Sequence, residues 1–289
     1  MKKVILIHFF ILQALVISAQ EKAQIKLTSA SPSASFEQEL GSTIIKVSYS
    51  RPLARGRKIF GELVPFEKLW RTGASDCTSI TTNEDIVFGN TTLKMGSYSI
   101  FTIPSKKEWT IIVNTDTTLH GETGYDAKKD VFRFTVPVES VPSFYETFTI
   151  EINDVNSKGE GFLKIIWENS MVKIPLKSKA DETILAVIDK NIIKEKTLDG
   201  NLLFQAANYY YSTNRDYKQA IVWLIEAEKL DSQNFYYPNL RQKIATELKD
   251  YPSAIEAGKK ALSIAELKKM KSVESLKKQI LELELLLKK

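Results

Sequence analysis

Cysteine and histidine are nearly missing from this 289-residue chain, which contains one of the first, Cys77, and two of the second, His8 and His120. With a single cysteine no intrachain disulfide can form, so stability has to come from buried apolar surface. One thiol and two imidazoles fall short of the nitrogen and sulfur ligand sets that hold zinc. No phosphate-cradling glycine loop followed by Lys-Ser/Thr is present, and no dinucleotide fingerprint. Gly-x-Ser-x-Gly, the usual serine-hydrolase signal, is missing too. These gaps imply no cofactor, no metal and no recognisable catalytic set. Long apolar runs are equally scarce: Val4 to Ile17 falls short of the roughly 20 residues that span a bilayer.

That short run sits after Lys2 and Lys3 and before Ser18-Ala19-Gln20, the layout of a cleavable export signal. Residues 1–20 are therefore expected to be a signal peptide, placing the mature protein in the periplasm or outside a bacterial cell, with no membrane attachment after cleavage. The remaining composition is that of a globular protein, with 43% hydrophobic and 26% charged residues. The net charge of +5 is spread over both halves of the chain. It points to no polyanion, and nucleic acid is excluded as an expected partner.

From Ser33 to about Leu176 the apolar period is two. Ala34, Phe36, Gln38 and Leu40 share a face, Gly41-Ser42 turns the chain, and Ile45, Val47 and Tyr49 share the next face. Further strands are predicted at 78–82, 85–88, 97–103, 108–114, 131–136, 146–152 and 162–167, separated by turn-forming pairs. Short strands without helical crossovers imply an antiparallel sandwich or squat barrel. One helix is predicted within this half, at 65–70, where Pro65 suits the first helical position.

Beyond Pro175 the period becomes helical. A charged linker is expected at 177–181, with Ile184, Leu185, Val187 and Ile188 forming the first apolar stripe after it. Asp216-Tyr217, Ala220-Ile221 and Ala227 recur 34 residues later as Asp250-Tyr251, Ala254-Ile255 and Ala261-Leu262. That period, with alanines where helices must approach closely, is the signature of tetratricopeptide helical hairpins. Pro238, Arg241 and Gly258 depart from it, standing where bulky apolar or aromatic residues are expected. Val273 to Leu287 would cap the stack. The chain as a whole is thus α+β, with an antiparallel sandwich at 30–176 and tetratricopeptide-like hairpins at 182–289. Such arrays hold peptides in a concave groove, so a protein partner is expected there, and outward-facing members of the clusters 209–211 and 235–237 would line it.

The least generic stretch runs from Tyr49 to Ala74. Arg51, Arg55, Arg57 and Lys58 fall close together, and Arg71 follows Trp70 in a Thr72-Gly73 turn. Guanidinium forks suit carboxylate, phosphate or sulfate oxygens, and flat aromatic faces suit rings. Tyr49, Arg51, Arg57, Lys58, Trp70, Arg71 and Thr72 are the candidate ligand residues, for an anionic small molecule or an acidic glycan. The competing expectation is that the arginines tie the loop to the sandwich through backbone carbonyls and carboxylates such as Glu62 and Asp76. A carboxylate-dependent hydrolase would draw on Glu62, Glu67, Asp76 and Asp126. His120, near Glu122 and Asp126, can be an acid–base group or a solvated loop residue. A purely structural or assembly role is the third alternative.

Several blocks carry a resemblance: Ser31-Pro32-Ser33-Ala34, Tyr49-Ser50-Arg51-Pro52, Gly56 to Gly61, Leu63-Val64-Pro65, Trp70 to Ala74, Gly96 to Pro104 and Tyr125-Asp126. In this order they resemble the exported bacterial family catalogued as domain of unknown function 2911, over residues 30 to 176. The resemblance implies an export signal and, in some members, appended tetratricopeptide-like repeats. It implies no activity. Ser75 departs from the family pattern, where Asn is common after the Trp-Arg-Thr-Gly-Ala block.

Overall fold

The structure, a computed structural model, describes residues 28–288. The apolar run that suggests an export signal lies outside the described residues. Among the described residues no helix is long and apolar enough to cross a membrane.

Nine strands form among the described residues: β1 Ser33–Leu40, β2 Thr43–Ser50, β3 Thr78–Thr82, β4 Ile86–Phe88, β5 Thr91–Leu93, β6 Gly96–Pro104, β7 Glu108–Asn114, β8 Asp130–Asn153 and β9 Glu160–Ser178. Their order is β1-β2-β3-β6-β7-β8-β9-β4-β5, and every pairing is antiparallel. β8 makes two layers from one sheet. Its first part pairs with β7 through Asp130–Pro137, and its second pairs with β9 from Val138 to Asn153. The register shifts between Ser140 and Tyr145 and again before Thr149. Such irregularities bend a strand and raise its twist, which lets the sheet turn over on itself. Two strands expected at 131–136 and 146–152 are therefore one bent strand.

Between the layers lie Trp109, Trp167, Phe148, Ile111 and Ile165, each at most 1% exposed. β2 shows how the pattern places them: Ile45, Val47 and Tyr49 are buried, while Ile44, Lys46 and Ser48 face the other way.

The helix expected at 65–70 does not form. Glu67 has a φ of 59°, outside the right-handed helical region. The Trp70 backbone instead pairs with Thr102 of β6. Nor is 177–181 a free linker, because β9 continues to Ser178 and the first helix begins at Ala180.

Six α-helices follow among the described residues: α1 Ala180–Ile188, continued by a π-helical turn at Asp189–Lys194, α2 Gly200–Ser212, α3 Tyr217–Leu230, α4 Tyr236–Glu247, α5 Tyr251–Leu267 and α6 Val273–Leu287. In α1 the buried stripe is Ile188 and, on the next turn, Ile192, with Val187 44% exposed. Asp216 and Asp250 cap α3 and α5, accepting bonds from the N–H of Gln219 and Ser253 respectively. Ala220, Ala227, Ala254 and Ala261 are fully buried. The 34-residue recurrence thus corresponds to equivalent caps and equivalent close helix contacts.

Candidate functional site

Residues 51–77 connect β2 to β3 as a long, ordered excursion across the sandwich. Its anchors are apolar. Phe60 and Trp70 insert into the core, their ring centroids 4.9 Å and 6.0 Å from that of Trp109, and Trp70 stacks on Trp167 at 6.1 Å. The Trp70 indole N–H donates to the Gly73 carbonyl at 3.0 Å. Burying two aromatic anchors gives the excursion its own share of the core. The Ile59 N–H then donates to a Glu168 carboxylate oxygen at 2.8 Å.

The arginines are largely used up inside the protein. Arg51 donates to the Phe148 carbonyl at 3.3 Å and to Thr149 Oγ1 at 3.1 Å. Arg57 donates through Nε to the Ala54 carbonyl at 2.9 Å and through Nη2 to that of Leu53 at 2.7 Å. Arg71 makes a two-pronged bond to Glu122, Nε to Oε1 at 3.1 Å and Nη2 to Oε2 at 3.0 Å, while its backbone N–H also donates to Oε1. Burial pushes the Glu122 carboxyl up, but the Arg71 N–H and guanidinium outweigh it and hold it below the ordinary glutamate range. Lys58 pairs with Glu62 at 3.4 Å, both well exposed. Tyr49 donates its buried hydroxyl to the Ile150 carbonyl. Thr72, fully buried with a φ of 58°, bonds Thr102 Oγ1 at 3.1 Å.

Three of the seven candidates share a cleft. Arg57, Trp70 and Arg71 line a hollow of about 600 Å³ together with Leu63, Lys68 and Trp167. Tyr49 lines a different cleft, described below. Arg51, Lys58 and Thr72 line neither. Arg57 keeps Nη1 outside every hydrogen bond among the described residues, and Lys68, exposed, has no ion-pair partner among them. Nothing in the local sequence marks Lys68, since its place on the rim depends on Glu67 turning the chain.

The carboxylates proposed for hydrolysis are scattered. Glu62 is paired with Lys58, Glu67 is exposed, and Asp126 caps the 3-10 turn at Ala127–Lys129. Asp76 meets His120 Nδ1. None of the four lines the arginine cleft. Burial pushes the Cys77 thiol up, and its Sγ faces the Gly121 carbonyl at 3.4 Å. A thiol held protonated in this way behaves as a small apolar group. Among the described residues no group of three or more His, Cys, Asp or Glu is placed to hold a metal ion.

The family described as Protein of unknown function (DUF2911) matches residues 31–176. The chain belongs to this family. The family match takes in β1 through nearly all of β9, with the whole 51–77 excursion and its cleft, and stops before α1. No curated protein matches the chain.

Proposed function

We propose that this DUF2911 member is an exported, non-enzymatic binding protein. Its sandwich holds an anionic ligand, a small carboxylate or sulfate or an acidic glycan, in the arginine cleft, and its tetratricopeptide-like helices carry a protein partner. The observation that carries this reading is the pair of uncommitted cations, Arg57 Nη1 and the Lys68 ammonium, on the rim of a 600 Å³ cleft backed by Trp70 and Trp167. Internal bonds hold the Arg57 stem still, which lowers the entropic cost of engaging an anion. Glu122 lines the same cleft but is tied to Arg71 at two points and held ionised, so it neutralises that arginine and offers no proton.

A partner on the helices is supported by Gln242, 3% exposed, whose Oε1 accepts no hydrogen bond. It lines a 300 Å³ hollow with Tyr211, Thr246 and Gln279, between α2, α4 and α6. A buried acceptor without a donor costs free energy, which a donor from a bound segment would recover.

The test is thermal-shift titration of the mature chain with uronic-acid oligosaccharides and aromatic carboxylates, set beside Lys68→Glu. Acidic ligands should stabilise the native chain. Loss of a charge-assisted contact of about 1.5–3 kcal/mol should weaken their binding to Lys68→Glu by about 10- to 150-fold. Equal stabilisation of both proteins would remove the cleft as their site.

A further inference from the structure

A second cleft, of about 750 Å³, lies on the outer face of β1, β2, β3 and β6. Its floor is made of hydroxyls in register. Ser35 pairs with Ser48, Ser48 with Ser79, and Ser79 with Ser99, a serine row crossing four strands, of which the first three residues line the cleft and Ser99 is fully buried. Ser33 pairs with Ser50 on one side of that row, and Thr81 with Ser97 on the other. Directly paired residues face the same side of a sheet, and neighbouring strands lie about 4.8 Å apart, so these hydroxyls form a lattice on one face. Stability alone would favour β-branched or aromatic residues here.

The lattice is walled and incompletely satisfied. Ser50, 6% exposed, lines the cleft, and its hydroxyl enters no hydrogen bond among the described residues. Asp76 and His120 stand on the wall, the carboxylate occupying Nδ1 and leaving Nε2 uncommitted. The segment containing Thr117 and Thr118 closes one side, held by the Ser99 hydroxyl, which donates to the Asp116 carbonyl at 2.7 Å. Nothing on the floor suits an anion: no lysine or arginine lines the cleft, and Lys46, which pairs in register with Thr81, is bound to Glu37 at 3.6 Å. Apolar lining is limited to Ala34, Leu119, the Tyr49 edge and the Cys77 thiol. A peptide would be expected along a sheet edge, where backbone groups are unpaired, whereas this cleft lies on the face.

We infer that this cleft binds a neutral saccharide, whose repeated hydroxyls each donate and accept, against the Ser/Thr lattice and the Asp76–His120 wall. Thr81 and Ser97 bond each other at 2.8 Å, whereas the hydroxyls of Ser35, Ser48, Ser50 and Ser79 enter no hydrogen bond among the described residues and can each donate to or accept from a polyol. The site is separate from the arginine cleft and does not rest on the anion reading.

The experiment is saturation-transfer NMR of the mature chain with maltohexaose, cellohexaose, xylohexaose and chitohexaose. The comparison protein is Ser48→Val/Ser79→Val, which keeps strand-favouring side chains while deleting two central hydroxyls. At least one hexasaccharide should show transfer from the native chain, with binding at least tenfold weaker to the double variant. Lys68→Glu should bind it as the native chain does, which separates this site from the arginine cleft. Failure of all four sugars to show transfer would overturn the inference. So would undiminished binding by the double variant.

Discussion

Arg241 occupies a position where the helical repeat leads one to expect a bulky apolar side chain, yet it is only 5% exposed. Its Nε donates to Glu228 at 2.7 Å and its Nη2 to Glu256 at 3.1 Å, while Lys260 adds a second cation to Glu228 at 2.8 Å. A buried pair of this kind gains little over an apolar core, but removing one member strands the other. Arg241→Ala should therefore lower the stability of the helices by about 3–5 kcal/mol in urea unfolding, because Glu228, 5% exposed, loses its main partner. Arg241→Met/Glu228→Leu should lose clearly less. Arg71 and Glu122 follow the same logic in the sandwich. The sequence marks Arg71 as cationic and aromatic-flanked, but its partner is 51 residues away, so only the folded chain decides between tie and ligand contact.

Among the elements, the 51–77 excursion and α5 show opposite uses of irregularity. In the excursion, turns replace the expected helix because Phe60 and Trp70 each gain a place in the aromatic core, and that burial outweighs the local helical preference of a short segment. In α5, Gly258 stands where a side chain would touch two neighbours: a Cβ there would lie 3.0 Å from Ile280 Cγ1 and 3.1 Å from Gln242 Cδ. Gly258→Leu gains about 1 kcal/mol in helix propensity. Overpacking should cost about 1–3 kcal/mol and widen the contacts of α5 with α4 and α6. Thermal unfolding should show a net loss, or at best no gain, and a clear stabilisation would mean that α6 moves aside freely. Pro238, the other irregular residue, sits within the first turn of α4, where a missing N–H is tolerated.

At the scale of the whole molecule, the titrating groups set the limits of stability. Lys129 and Thr118 hold Asp116 down to about 2, and Lys94 and the Met95 N–H do the same for Asp85. A depressed carboxyl contributes stability above its unfolded value and loses it as pH falls through the folded one, here from 3.8 towards 2. At the other end, burial and Asp130 push Tyr125 up to about 12, and burial and Asp181 do so for Tyr209. The folded protein then retains phenolic protons that the unfolded chain releases, so stability falls between pH 10 and 12. Urea midpoints against pH should decline on both flanks, with Asp116→Asn flattening the acid one and Tyr209→Phe the alkaline one.

Sequence alone determined the two-part plan, since a period of two and a period near 3.6 each report one-sided burial, and local spacing carries both. β1, β2, β3 and β7 and the 34-residue recurrence that begins at Asp216 and Asp250 were legible for that reason. The match of residues 31–176 to the DUF2911 family follows from blocks visible in order along the chain. Tertiary structure decided what those blocks touch. It made one strand of β8, spent Arg51 on the Phe148 carbonyl, set Lys68 and Arg57 on one cleft, and laid serines from four strands into one row. Serine or threonine recurs at a second position within each of these strands, a legible signal whose meaning depends on registers between segments far apart in sequence. Pairings of that kind depend on loop paths and shared burial, which no local stretch of residues encodes.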